Sequence, residues 1–232
     1  MKHLWAFALT FVISVGWLGC EVGSNSTDAG VDAGVDAGAD AGSGGTGVPC
    51  LNPVVLSVDF TANDPFVVVD TVETGGASEM ATWEATGGNP DGYRRMTHTL
   101  PSESSITVFH LFEQEYDPAG GAIDHINYSE SRIQFDPPFS GAGIGAGFFL
   151  VQGGNRSTMP LPTDGAFTST DWEPVVLENI QPDDFSRVPD FTATAAPIQF
   201  GFYRSNSHGP GEEIVTTHGI DNWQVKICRI AE

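Results

Sequence analysis

Residues Ile198–Ser205, IQFGFYRS, and Glu212–Ile230, EEIVTTHGIDNWQVKICRI, decide how this chain folds. In the first, Ile198, Phe200 and Phe202 share one face of an extended strand and Gln199 and Tyr203 take the other, because side chains alternate along β-structure. In the second, Trp223, Val225 and Ile227 point to a core, while Asn222, Gln224, Lys226 and Cys228 point away. A Gly/Pro/His loop separates them. The pattern predicts two or three adjacent strands that close a β-sandwich, with Trp223 in its core.

The same period of two runs back toward the N-terminus. Val54, Leu56, Val58 and Phe60 share a face, with Ser57 and Asp59 opposite. Phe66–Val72 and Ile106–Phe112 are apolar on both faces, as buried strands are. Glu79–Ala85 and Tyr93–Leu100 flank the turn-forming loop Gly87-Gly88-Asn89-Pro90-Asp91-Gly92. Further strands are expected in Ile123–Phe135, Gly147–Gln152 and Trp172–Ile180, and one helical turn at Pro182–Ser186. No segment keeps a helical period over ten residues. The fold class that follows is all-β: an antiparallel two-sheet β-sandwich, or jelly roll, of about a dozen short strands.

Ahead of the folded domain, residues 1–19 carry a basic start (Lys2, His3) and an apolar run from Leu4 to Leu18. That run is too short to span a membrane and fits a signal peptide. Leu18-Gly19-Cys20 resembles the lipobox of bacterial lipoproteins, which implies a lipid on Cys20 and a membrane anchor. Trp17 stands where that family prefers an aliphatic residue, so secretion without lipid is the alternative. Residues 20–49 read as a lipid-anchored linker built on a period-four repeat, Asp28-Ala29-Gly30-Val31 through Asp40-Ala41-Gly42. Glycine at every fourth position opposes helix, and nothing there buries enough apolar surface to offset ordering entropy, so disorder is expected. A flexible chain of that length spans about 30 Å. Residues 50–232 then form the sandwich. Localisation is expected to be outside the cytoplasm, at a bacterial outer membrane or cell surface.

The chain holds three cysteines. With Cys20 lipidated, Cys50 and Cys228 remain at the two ends of the domain, where first and last strands are often neighbours. A disulfide between them is expected, two buried thiols being the alternative. The chain carries 30 acidic and 9 basic residues, a net charge of −21. Such a surface repels phosphate backbones, which argues against nucleic acid as a partner. It tolerates divalent cations and neutral sugars.

Gly88–Arg95 (GNPDGYRR), Ala196–Gly201 (APIQFG) and His218–Trp223 (HGIDNW) resemble recurring segments of secreted bacterial jelly-roll domains. These are the concanavalin-like and laminin-G-like sandwiches that serve as lectins or carbohydrate-binding modules. The resemblance implies a polysaccharide or glycan partner. It also implies a structural Ca²⁺ near the terminal strands, for which Asp59, Asn89, Asp91, Asp221 and Asn222 offer the hard oxygen donors this ion needs. The alternative is that these residues cap turns.

A pyranose presents an apolar face and a ring of hydroxyls, so its site combines an aromatic with amides and charged groups. Trp83, Tyr93, Trp172, Tyr203, Arg204, Asn206 and His208 are the candidates, with core packing as the alternative for each aromatic. Glu113-Gln114-Glu115 places two carboxylates on one strand face, superficially like a glycosidase pair. Its glutamine sits where the jelly-roll glucanase signature has an aspartate, and a solvated strand end is the better reading. No GxSxG, HExxH or phosphate loop is present. The expected function is non-catalytic carbohydrate binding. A structural or adhesive envelope module that binds protein is the alternative, with a glycoside-active enzyme third.

Overall fold

A computed structural model describes residues 49–50, 52–135, 144–161 and 169–230. The signal segment, Cys20 and the Asp-Ala-Gly repeat lie outside the described residues. Eleven strands are found among those described: β1 (Val54–Val58), β2 (Phe66–Thr74), β3 (Ser78–Glu84), β4 (Tyr93–Leu100), β5 (Ser104–Tyr116), β6 (Ile123–Gln134), β7 (Gly145–Gln152), β8 (Asn155–Pro160), β9 (Glu173–Ile180), β10 (Ile198–His208) and β11 (Ile214–Arg229). The helical turn expected after β9 is a short 3₁₀ turn, Pro182–Asp184.

The strands form two antiparallel sheets. One runs β3-β4-β11-β6-β9, with β1 also paired to β11; the other runs β2-β5-β10-β7-β8. Phe66, Phe112, Phe148, Phe200, Phe202 and Trp223 meet between them. Phe66 sets its ring edge-on to both Phe202 and Trp223, with centroids 5.1 Å apart in each pair. The expectation that the C-terminal strands sit side by side is corrected. β10 and β11 belong to opposite sheets and face each other across the core, because both need an apolar partner that a hairpin between them would not supply.

The end strands are neighbours as expected. Val54 pairs with Ile227 and Val58 with Trp223, and a disulfide joins Cys50 to Cys228 just beyond. It closes a loop of 178 residues, which on the chain-entropy model stabilises the fold by at most about 5 kcal/mol. β8 was not anticipated, and β2 departs from expectation in another way. Its valines Val67, Val68, Val69 and Val72 are exposed rather than buried, because β2 ends its sheet and only Phe66 reaches the core.

Buried polar groups stand beside this apolar core. Arg204 of β10 donates to Glu130 of β6 across the sandwich at 2.9 Å, with both side chains fully buried. Tyr128 donates its hydroxyl to the second oxygen of Glu130. Arg94 pairs with Asp64 and lies 3.1 Å from His110 Nδ1, while the other nitrogen of His110 lies 3.2 Å from Glu79. His98 and His218 stack edge to face at 4.7 Å.

These three histidines are neutral in the folded protein. Burial pushes His98 down to about 4, and it pushes His110 and His218 well below the ordinary imidazole range, helped by Arg94 and Arg204 at His110 and by His98 and Arg204 at His218. An unfolded imidazole titrates near 6.5, so below that pH the unfolded chain binds more protons and stability falls. Glu79 acts in the opposite sense: burial raises its carboxyl, so the folded state holds that proton more tightly and part of the loss is offset. Taking the protein from pH 7 to pH 5 is expected to cost about 2 kcal/mol through His98 alone, and more with its two neighbours. Urea midpoints at the two pH values check this; equal midpoints would show that the histidines are not buried neutral.

Candidate functional site

Because Phe148, Leu150, Phe200 and Phe202 turn inward, their neighbours in sequence turn out. On the outer face of the β2-β5-β10-β7-β8 sheet this gathers Phe109, Leu111 and Phe149, with Val151 and Tyr203 packed against them. Phe109 meets Phe149 edge to face at 5.3 Å and Tyr203 at 5.4 Å. Two glycines make room for these rings. A Cβ at Gly147 would overlap the Tyr203 ring, and one at Gly201 would overlap the Phe149 ring. Burial raises the Tyr203 hydroxyl above the ordinary phenol range, so it stays protonated. Alongside Tyr203 lies a depression of about 350 Å³ lined by Ser105, Thr107, Gly145, Ser205 and Ser207 among others.

Arg156 shows the shape of this face. Its guanidinium lies 3.6 Å from the centre of the Phe109 ring and donates to Asp70 at 2.6 Å. Arg156 is on β8 and Asp70 on β2, the two ends of the sheet. Strands four places apart in a flat sheet are about 19 Å apart, beyond the combined reach of the two side chains. The sheet is therefore coiled, and its outer face is a groove that Arg156 and Asp70 bridge.

The residues nominated from sequence are divided among several places. Tyr203 is in the groove. Arg204 and Asn206, next to it in sequence, are buried between the sheets and face away from the groove, which removes them from its lining as side chains. Their parity with Phe200 and Phe202 was the available signal. Tyr93 and Trp172 lie on the outer face of the opposite sheet, where they meet Phe135 over Gly219. Trp172 also donates its indole N–H to the Gly87 carbonyl, which ties the Gly87–Gly92 loop to the sheet. Trp83 donates to the Phe60 carbonyl, and His208 to that of Glu212. Glu113, Gln114 and Glu115 are exposed at the end of β5. Phe109, Phe149, Arg156 and Asp70 were missed.

The proposed calcium ligands do gather at one corner, around Asp221. Its two oxygens accept the backbone amides of Asn89 and Asn222, each at 2.6 Å. The Asn222 side chain in turn donates to the Asn89 carbonyl. Burial raises the Asp221 carboxyl against those amides, with Asp59 and Asp91 adding to the rise. Asp59 itself caps a turn through Thr61. Among the described residues, the one set of three His, Cys, Asp or Glu with ligand atoms within 4.8 Å of one another is Cys50, His125 and Cys228. Its two sulfurs are joined to each other, so they are not thiolate ligands.

No protein-family model and no curated protein matches the chain. Its similarities are to solved sandwiches. One is a family 11 carbohydrate-binding module of a cellulosomal cellulase of Clostridium thermocellum, 10% identical with a TM-score of 0.45, covering 79% of this chain and 98% of that one. Another is a xylan-binding domain from Paenibacillus barcinonensis, 9% identical with a TM-score of 0.39, covering 76% and 95%. A third, a carbohydrate-binding module of the β-sandwich superfamily, is 12% identical with a TM-score of 0.43; this chain spans 57% of its length.

The Asp221 clamp makes its own prediction. Asp221→Ala removes the acceptor for two amides at once, and charge-assisted bonds of this kind contribute about 1.5–3 kcal/mol each. A loss of about 3 kcal/mol in urea unfolding is expected, with Asp221→Asn retaining part of it. An unchanged midpoint would mean that the loop is held elsewhere.

Proposed function

We propose that the domain is a non-catalytic carbohydrate-binding module of the concanavalin-like or laminin-G-like kind, held at a bacterial surface by lipid on Cys20. The groove carries this reading. It presents Tyr203 beside a hydroxyl-lined depression, which suits a sugar's apolar face and its ring of hydroxyls. The acidic surface favours a neutral glycan over a polyanion. A structural Ca²⁺ at the Asp59, Asn89, Asp91, Asp221 and Asn222 corner is a separate proposal, resting on its oxygen donors, although Asp221 is already engaged by amides.

A second reading has one observation in its favour. The exposed Val67, Val68, Val69 and Val72 line a strand at the end of its sheet, where another protein can add a strand. This fits an adhesive or structural envelope module.

Glycan-array binding with and without EDTA separates the proposals. Wild type is expected to bind a neutral polysaccharide, and Tyr203→Ala to lose about tenfold or more in affinity, since one stacked aromatic contributes about 1.5 kcal/mol. No signal from wild type, or full binding by the variant, would remove the glycan reading at this groove. Binding unaffected by EDTA, with an unchanged melting temperature, would remove the calcium. Radioactive palmitate should label the mature protein and fail to label Cys20→Ala; an unlabelled wild type would refute the anchor.

A further inference from the structure

We propose that Arg156 and Asp70 form a bar across the groove, which a ligand must lift before it reaches the aromatic floor. This inference rests on the reading of the groove as a ligand face and adds its regulation. Phe109, Leu111 and Phe149 point away from the inter-sheet core, yet all three are buried. Arg156 covers Phe109 at stacking distance, taking the ring face that a sugar would use. That ring face is thus occupied by the protein's own cation.

The bar is easy to lift. Arg156 and Asp70 keep 32% and 45% of their side-chain surface exposed, and exposed ion pairs are weak and screened by salt. It also joins the two ends of one sheet, so releasing it frees β8 and β2 to part and the groove to widen. Once separated, the guanidinium and the carboxylate each offer paired hydrogen-bonding groups to neighbouring hydroxyls of a neutral ligand.

The test needs no glycan, so it can fail or succeed independently of the array. The probe is the anionic apolar dye 1-anilinonaphthalene-8-sulfonate, with Asp70→Asn and Arg156→Gln compared against wild type. Charge alone would move the two variants in opposite directions, since one removes an anion and the other a cation. Lifting a bar moves both upward, by about two- to fivefold in bound dye, with melting temperatures unchanged. Wild type in about 1 M sodium chloride should shift the same way, which keeps the test decisive if a variant misfolds. Unchanged dye binding overturns the bar, as do opposite shifts in the variants. A rise that comes with a lowered melting temperature reports a loosened fold and overturns it too.

Discussion

The buried pair of Arg204 and Glu130 is the constraint on which the rest of the structure depends. It crosses from one sheet to the other with neither side chain in contact with water. Removing two charges from water is costly, and such pairs are often no more stable than apolar replacements of equal volume. Its consequence lies in what it forbids. A slip of one residue in β10 would turn Arg204 outward and strand Glu130 and Tyr128 in the interior without their cation. Removing one partner of a buried pair costs about 3–5 kcal/mol, so the slipped register is excluded.

The groove follows from that register. With Arg204 inside, Tyr203 and Ser205 must be outside, and Gly201 must face the same way as Tyr203. Opposite them on β7 stand Phe149, Gly147 and Gly145, the partners of Gly201, Tyr203 and Ser205. Tyr203 and Phe149 therefore each lie over a glycine on the adjoining strand. The two glycines give these rings room as the sheet coils inward. The Arg156–Asp70 contact records that coiling.

Period two was legible in the sequence and gave most of the strands and the core position of Trp223, while the cysteine count and the place of Cys50 and Cys228 at the two ends of the domain gave their pairing. Where charge and parity disagreed, charge misled. Arg204 and Asn206 continue the inward series of Ile198, Phe200 and Phe202, but polar side chains next to a Gly/Pro loop point to the surface, where such residues mostly lie. Strands apolar on both faces carry no sign of which face meets the core, so Phe109 and Phe149 could not be assigned to a groove. Such a run also reads as buried whether or not it ends a sheet, which is how β2 escaped. Arg156 and Asp70 are 86 residues apart and meet only because the sheet coils, and no local pattern encodes that.

Both outer faces carry an aromatic cluster, and the difference between them is mechanical. Tyr93, Trp172 and Phe135 brace one another, and the Trp172 indole is tied to the loop that the Asp221 clamp also holds. Displacing Trp172 would remove one of the ties on that loop, so this cluster serves the fold. Tyr203 and Phe109 brace no loop among the described residues. The cover of Phe109 is an ion pair whose two members are partly exposed. A surface that is to bind must give up its own contacts at little cost. By that criterion the groove suits the proposed glycan site better than the Tyr93 face does.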